Sequence, residues 1–139
     1  MKKKTIALFG STGSIGSTLL NIINDDRKNF EILLLTANKN YKKLLNQAYK
    51  FNVKNLIITD RSSYKKLKSY TKNEKINIYN NFSCLKKIFK KKIDYTMNAI
   101  IGLDGLTPTL EMIQYTHVIA IANKESIICG WNLIQKQIK

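Results

Sequence analysis

The sequence predicts an α/β protein whose core is a doubly wound, Rossmann-like parallel sheet, formed as a single domain over residues 1–139. Apolar runs typical of buried strands alternate along the chain with segments in which apolar residues recur at helical spacing. The connections between these segments are short, and no linker or repeat interrupts them. Alternation of this kind favours strands that run parallel and helices that cover both faces of the sheet.

The first unit is a strand, a glycine turn and a helix. Thr5–Phe9 carries no charge and suits a strand that is buried on both faces, and the turn Gly10–Gly16 follows it directly. The helix after the turn is indicated by apolar residues at helical spacing, namely Ile15, Leu19, Leu20 and Ile23.

Glycines at positions 10, 13 and 16 predict a dinucleotide-binding turn. Gly10 would make the tight turn, Gly13 would let phosphates approach the backbone, and Gly16 would let helix and strand pack closely. Backbone N–H groups and the positive end of the helix dipole would then face a pyrophosphate. The spacing G-x-x-G-x-x-G differs from the strict G-x-G-x-x-G fingerprint, so a plain strand-to-helix turn stays open as an alternative.

The next segments continue the alternation. Strands are predicted at Ile32–Thr36, Leu56–Thr59 and Ile76–Tyr79. Helices are predicted around Leu44, Leu45, Ala48 and Phe51, at Ser62–Tyr70 with Tyr64, Leu67 and Tyr70 packed inward, and at Phe82–Phe89 with Cys84, Leu85, Ile88 and Phe89 inward.

The last third predicts two more strands, at Ile93–Ile101 and His117–Ala122. Thr107 and Pro108 indicate the start of the helix between them, with the hydroxyl at the N-cap and the proline at the first helical position. A final helix is predicted over Ser126–Ile138, where Ile127, Trp131, Ile134 and Ile138 recur on one side.

The net charge of +15 would ordinarily suggest a nucleic-acid partner. Almost all of the excess is lysine, scattered over several predicted helices, so we interpret it as solvated surface and expect no nucleic-acid partner. Cys84 and Cys129 match no metal spacing and indicate reduced thiols. No apolar run is long enough for a signal sequence or a membrane span, so a cytoplasmic protein without a membrane partner is expected, or an organellar one if an upstream targeting segment is removed.

Three polar segments follow predicted strands, where ligands bind in open parallel sheets: Gly10–Gly16, Thr36–Asn40 and Ala122–Ser126. No Asp or Glu occurs from Ile32 to Thr59, so the carboxylate with which NAD enzymes usually bind the ribose is missing. Lys39, flanked by Asn38 and Asn40, instead occupies the place of a 2′-phosphate, which favours NADP. The alternative is one more surface lysine.

The third segment places an amide, an ammonium group and a carboxylate together, at Asn123, Lys124 and Glu125. Such a cluster can hold a polar ligand. The alternative is a helix N-terminus at which Glu125 and Ser126 satisfy free N–H groups. His117 lies at the other end of its strand and is interpreted as structural.

Five motifs together resemble the 1-deoxy-D-xylulose 5-phosphate reductoisomerase family: G-S-T-G-S-I-G at 10–16, A-N-K-N at 37–40, N-A-I-I-G at 98–102, G-L-T-P-T-L at 105–110 and A-N-K-E-S at 122–126. The resemblance implies an NADPH-dependent enzyme that converts the sugar phosphate 1-deoxy-D-xylulose 5-phosphate to 2-C-methyl-D-erythritol 4-phosphate in non-mevalonate isoprenoid synthesis. The enzymes of this family use Mg²⁺ or Mn²⁺.

The same resemblance implies roles for particular residues. NADPH would be bound at its phosphates and ribose by Thr12, Gly13, Ser14 and Ile15, at the adenosine end with its 2′-phosphate by Lys39 and Asn40, and near the nicotinamide by Asn123 and Glu125. Lys124 would bind the substrate. Asn38 stands where some members of the family have glycine.

The metal ligands of the family, an Asp-x-Glu and a later Glu, have no counterpart in these residues, so no metal or catalytic residue is expected here. The resemblance therefore implies the NADPH-binding portion of a longer enzyme that is a homodimer at full length, without turnover by residues 1–139 alone. A non-catalytic NADP-binding sensor or scaffold protein and a basic nucleic-acid-binding module are the rival interpretations. Steep salt dependence without a response to NADPH would favour the nucleic-acid module.

Overall fold

The central strand of the fold is buried on both faces. In the computed structural model, which describes Met1–Lys139, strand β1 (Lys4–Phe9) directs Ile6 and Leu8 into one apolar core and Ala7 and Phe9 into another. This follows from the period of two along a strand, because successive side chains point to opposite faces. The uncharged run Thr5–Phe9 within this strand is therefore the signature of its central position.

Five further strands complete a six-stranded sheet in which every neighbouring pair is parallel. They are β2 (Phe30–Ala37), β3 (Asn55–Ile58), β4 (Asn77–Tyr79), β5 (Ile93–Asn98) and β6 (Thr116–Ile121). The order across the sheet is β4-β3-β2-β1-β5-β6. The direction of winding reverses between β1 and β5, so the loops that follow these two strands form the crevice in which such sheets bind ligands.

Six helices connect and cover the strands. They are α1 (Ser14–Asp25), α2 (Tyr41–Phe51), α3 (Arg61–Tyr70), α4 (Leu85–Ile88), α5 (Leu106–Met112) and α6 (Lys124–Ile138). Buried residues of α1, α2 and α3 belong to the core that contains Ile6, and those of α4 and α5 to the core that contains Phe9. The prediction of a doubly wound parallel sheet is thus confirmed.

Strand β5 is shorter than predicted, because it ends at Asn98 and not at Ile101. The side chain of Asn98 turns the chain out of the sheet: its Oδ1 accepts from the backbone N–H of Ile100, at 3.1 Å, and its Nδ2 donates to Gly105 O, at 2.8 Å. The predicted start of α5 is also wrong. The helix begins at Leu106, so Pro108 is its third residue, where the N–H would have no partner within the helix anyway.

The face of α6 that packs inward differs from the predicted one. Ser126, Gly130 and Ile134 are buried, whereas Ile127, Trp131 and Ile138 are exposed. Of the predicted row, only Ile134 therefore faces inward. Gly130 faces inward because Leu106 of α5 packs directly against it, and a Cβ at that position would lie 2.9 Å from Leu106 Cδ2. The predicted row was therefore helical in period but incorrect in phase.

Two smaller expectations are also corrected. Phe82–Phe89 is not one helix but a 3₁₀ turn, Phe82–Cys84, followed by the single turn of α4. Tyr70 is exposed, and its ring lies 5.9 Å from that of Tyr41 in a stacked arrangement on the surface. No helix is both long and apolar enough for a membrane crossing.

Candidate functional site

The turn after β1 is shaped by its first and third glycines. Gly10 has φ +74°, and a Cβ there would lie 2.9 Å from the carbonyl oxygen of Ala99 in the loop after β5. Gly16 is buried, and a Cβ there would lie 2.7 Å from Ser11 Cα. Both positions therefore exclude any side chain, and the turn is pressed against the neighbouring loop at the point where the winding reverses.

Hydrogen bonds from β2 and α2 hold this turn in place. The Gly10 N–H donates to Thr36 Oγ1, at 3.0 Å, and the Ser11 N–H to Thr36 O, at 2.9 Å. Ser11 is fully buried and pairs with the side-chain amide of Gln47. The Lys43 ammonium group donates to Thr12 O, at 2.9 Å.

The N-terminus of α1 is open to a ligand. Gly13 is its N-cap, and no side chain caps the helix. The N–H groups of Ser14, Ile15 and Gly16 find no acceptor in the protein. Ile15 is 49% exposed, so this first turn faces outward. Free N–H groups at the positive end of a helix dipole are suited to bind an anion.

A cleft of about 960 Å³ lies along the carboxyl ends of the strands, beside this turn. Its lining combines glycine-turn residues with polar residues that follow β2, β3 and β4 and with the loop after β5. The lining residues are Gly10, Thr12, Gly13, Thr36, Ala37, Asn38, Thr59, Asn80, Asn81, Phe82, Ser83, Ala99, Ile100, Ile101, Asp104, Thr107, Pro108 and Glu111. A second cleft, of about 380 Å³, is lined by Lys3, Arg27 and Phe30 near the opposite ends of β1 and β2.

The segment after β2 presents a cation beside the cleft. Lys39 is exposed and forms no hydrogen bond through its ammonium group, whereas Asn40 caps α2 by accepting from the Lys43 N–H at 3.1 Å. The Asn38 side chain donates to Thr59 Oγ1, at 2.7 Å. The next carboxylate downstream, Asp60, caps α3; hydrogen bonds from Ser63 lower its pKa, and the charge of Lys39 contributes in the same direction.

The segment after β6 begins α6. Asn123 is its N-cap, with Oδ1 accepting from the Ser126 N–H at 2.9 Å. The segment is thus a helix N-terminus, as the alternative interpretation expected, but the Ser126 N–H is capped by Asn123 and not by Glu125 or Ser126. The Asn123 Nδ2 atom is buried and has no hydrogen-bond partner. Lys124 is exposed and Glu125 half-buried in the first turn of the helix.

The structure brings the predicted residues together only in part. Gly10, Thr12, Gly13 and Asn38 line the large cleft, but the α6 segment does not. The α6 segment adjoins the loop after β5 instead, because a Cβ at Gly105 would lie 3.3 Å from Asn123 Cγ. Of the three predicted segments, those after β1 and β2 therefore contribute to the cleft, whereas Lys39, Asn40 and the α6 segment are not among its lining residues.

Sequence reasoning missed several lining residues. The polar run 80–83 follows β4 and meets the cleft, and the uncharged loop 99–101 follows β5. The run 80–83 could have been found from the rule that ligands bind where strands end, and so could the loop 99–101, had β5 been predicted to end at Asn98. Asp104 and Glu111 add carboxylates to one wall, but no group of three or more His, Cys, Asp or Glu residues clusters as a metal site would require.

Comparison with known proteins gives a consistent result. The sequence model of the family described as 1-deoxy-D-xylulose 5-phosphate reductoisomerase matches residues 6–130. The curated 1-deoxy-D-xylulose 5-phosphate reductoisomerase of Pelagibacter ubique (strain HTCC1062) is 62% identical over 138 residues, which are 98% of this chain and 36% of that relative. The enzyme of the same name from Clostridium novyi (strain NT) is 35% identical over 139 residues, again 36% of its length.

Solved structures agree with the sequence comparison. The reductoisomerase from Zymomonas mobilis in complex with NADPH superimposes with a TM-score of 0.87 at 33% identity, covering 99% of this chain and 36% of that one. A reductoisomerase in complex with magnesium gives a TM-score of 0.87 at 28% identity and covers 99% of this chain and 35% of that one. The chain thus spans about a third of the length of the relatives it matches, and it belongs to the 1-deoxy-D-xylulose 5-phosphate reductoisomerase family.

Proposed function

We propose that residues 1–139 are the NADPH-binding domain of an enzyme that converts 1-deoxy-D-xylulose 5-phosphate to 2-C-methyl-D-erythritol 4-phosphate. The observation that carries this proposal is the uncapped N-terminus of α1, which opens beside a cleft of about 960 Å³ at the reversal of the sheet. The relative from Zymomonas mobilis, whose structure holds NADPH, has the same fold over 99% of this chain.

The glycine turn fits a pyrophosphate. A Cβ on Gly13 would meet only Gly10 O, at 3.6 Å, so the space in front of Gly13 is free of protein atoms. The backbone N–H groups of Thr12, Ser14 and Ile15 have no acceptor in the protein. These residues would bind the phosphates, and Gly10 and Gly16 would keep the turn in shape.

The adenosine end would lie beside α2. Lys39 offers an ammonium group without an internal partner, and it would bind the 2′-phosphate together with Asn40. Asn38 lines the cleft and would contribute to the cofactor site there, with its side-chain amide bonded to Thr59 Oγ1. Asp60 is engaged with Ser63 in the cap of α3 and does not supply the free carboxylate that NAD enzymes place near the ribose.

The nicotinamide end would extend toward α6. The unpartnered Nδ2 of Asn123 is a donor that a ligand amide or ribose could satisfy, and Glu125 stands in the same helical turn. Lys124 follows Asn123 in the sequence and is exposed, and it would bind the sugar phosphate. NADPH, when bound, supplies the reducing equivalents of the reaction.

No residue of this chain is assigned to a metal, because its acidic side chains do not cluster. The proposed use of Mg²⁺ or Mn²⁺, like the homodimer and the cytoplasmic location proposed for the full-length enzyme, is supported by resemblance to the relatives alone. Since the chain spans only 36% of their length, we propose that it binds NADPH without turnover on its own.

Calorimetry with NADPH and NADH tests this function. We expect the wild-type chain to bind NADPH at least about tenfold more tightly, because a charge-assisted contact contributes roughly 1.5 to 3 kcal/mol. Lys39→Glu should abolish the preference. Lys28→Glu is the matched control, since it makes the same charge change at the opposite end of the sheet, between α1 and β2.

The outcomes distinguish a failure of the proposed function from a failure of the role assigned to Lys39. A wild-type chain that binds neither cofactor would refute the proposed function. Equal binding of both would refute only the assignment of Lys39. Binding of polyanions with steep salt dependence and no response to NADPH would favour the nucleic-acid module instead.

A further inference from the structure

Gln47 of α2 holds the buried serine of the glycine turn with both ends of its amide. Its Oε1 accepts from Ser11 Oγ at 2.8 Å, and its Nε2 donates to Ser11 O at 2.9 Å. Ser11 is fully buried and Gln47 half-buried. A pair of hydrogen bonds that is partly shielded from water fixes the orientation of the Ser11 peptide group.

That orientation determines where the next N–H group points. The chain has no cis peptide bond, so the C=O of Ser11 and the N–H of Thr12 point in opposite directions. Because Gln47 holds the C=O toward α2, the Thr12 N–H points away from α2. It has no acceptor in the protein, and Thr12 lines the large cleft.

Lys43, one helical turn before Gln47, holds the following carbonyl group in the same way, since its ammonium group donates to Thr12 O at 2.9 Å. Two successive carbonyl oxygens, which would repel a phosphate, are therefore bonded to α2. The same helix is capped by Asn40, directly after Lys39. The cation Lys39 thus directly precedes the cap of the helix that orients the backbone of the turn.

We propose that Gln47 is a positioning residue for the pyrophosphate of the dinucleotide. It acts through Ser11, by directing the Thr12 N–H toward the phosphates, and it does not itself contact the ligand. The proposal rests on the proposed function, because it requires that a pyrophosphate binds at this turn.

The test compares two ligands on variants of the full 139-residue chain. Gln47→Met removes both hydrogen bonds with little change in volume or helix propensity. We expect it to weaken NADPH binding about tenfold, as the loss of one aligned contact to a charged group predicts. Adenosine 2′-monophosphate has no pyrophosphate, so the affinity of the variant for this ligand should fall by less than about threefold. Gln135→Met is the matched control, because Gln135 is exposed on α6.

A second variant keeps the test decisive if Gln47→Met lowers the melting temperature. Gln47→Glu preserves the acceptor for Ser11 Oγ but replaces the donor with a carboxylate oxygen that faces Ser11 O. Its affinity for NADPH should therefore fall more than its affinity for adenosine 2′-monophosphate, as in Gln47→Met. In the wild type, the amide proton resonance of Thr12 should shift when NADPH binds, and this shift should diminish in both variants.

Unchanged NADPH affinity in either folded variant would overturn the proposal, and so would an equal loss for both ligands, since that is what a purely structural role of Gln47 predicts. A wild-type chain that does not bind NADPH would instead refute the proposed function itself.

Discussion

Gly16 packs directly against the carbonyl group of Gly10, so closely that a Cβ on Gly16 would overlap the Gly10 oxygen. Gly13, midway between them, has no such neighbour: a Cβ there would lie 3.6 Å from the same oxygen, an ordinary contact, and its φ of −77° suits any residue. The three glycines therefore serve different purposes. The fold requires glycine at positions 10 and 16. At position 13 the fold would accept a side chain, so a requirement for glycine there would come from a ligand.

A pair of alanine substitutions should separate these purposes. Gly16→Ala should destabilise the chain by about 1 to 3 kcal/mol, as overpacking against backbone atoms predicts. Gly13→Ala should cost less than about 1 kcal/mol, since it changes only an uncapped N-cap position, yet it should weaken NADPH binding. Urea denaturation and calorimetry measure the two effects. If Gly13→Ala binds NADPH like the wild type, the phosphates do not approach the turn at this residue.

The inward face of α6 can be tested with two isoleucines on the same helix. Ile134 is 1% exposed and Ile128 is 75% exposed. Ile134→Ala should therefore cost about 2 to 5 kcal/mol, as for other buried isoleucines. Ile128→Ala should stay within about 0.5 kcal/mol, as for surface substitutions. Equal effects in chemical denaturation would contradict the phase of the helix described above.

The two thiols should differ in reactivity. Cys129 is exposed on α6, whereas burial raises the pKa of the Cys84 thiol to about 11. A thiol reagent acts on the thiolate, so at pH 8 the folded chain should release one equivalent of chromophore from an aromatic disulfide quickly and the second only on unfolding. Cys129→Ser is the control and should remove the fast phase. A fast phase that persists in this variant would show that Cys84 is accessible.

Much of the fold could be predicted from the sequence because its signals are local. The uncharged run at Thr5–Phe9 and the glycines after it depend on burial and on backbone geometry that neighbouring residues dictate. The end of β5 could not be predicted, because it is set by bonds from Asn98 to Gly105 and Thr109, residues that only the folded chain brings near. Local pattern alone extends that strand to Ile101.

The site followed the same division. Gly10, Thr12, Gly13 and Asn38, which the glycine motif and the missing carboxylate mark in the sequence, line the cleft, and their roles in binding remain predictions. Gln47, for which a positioning role is proposed, was not predicted, since a glutamine in a helix carries no signal until Ser11 is seen beside it. The phase of α6 was missed for a related reason. Helical period shows that Ile127, Trp131 and Ile134 can share a side, but only Leu106 reveals that Gly130 faces the core.

The pairing of β1 with β5 also has a kinetic consequence. The bonds between Thr5 and Asp94 join residues 89 positions apart, so closing this loop costs about 4 kcal/mol of chain entropy. The glycine turn and the loop at Ala99, which form two walls of the cleft, meet only after that closure. A ligand of the cleft would therefore encounter its site late in folding. We expect NADPH to lengthen the lifetime of the native state without hastening its formation, which unfolding and refolding rates measured with and without the cofactor would reveal.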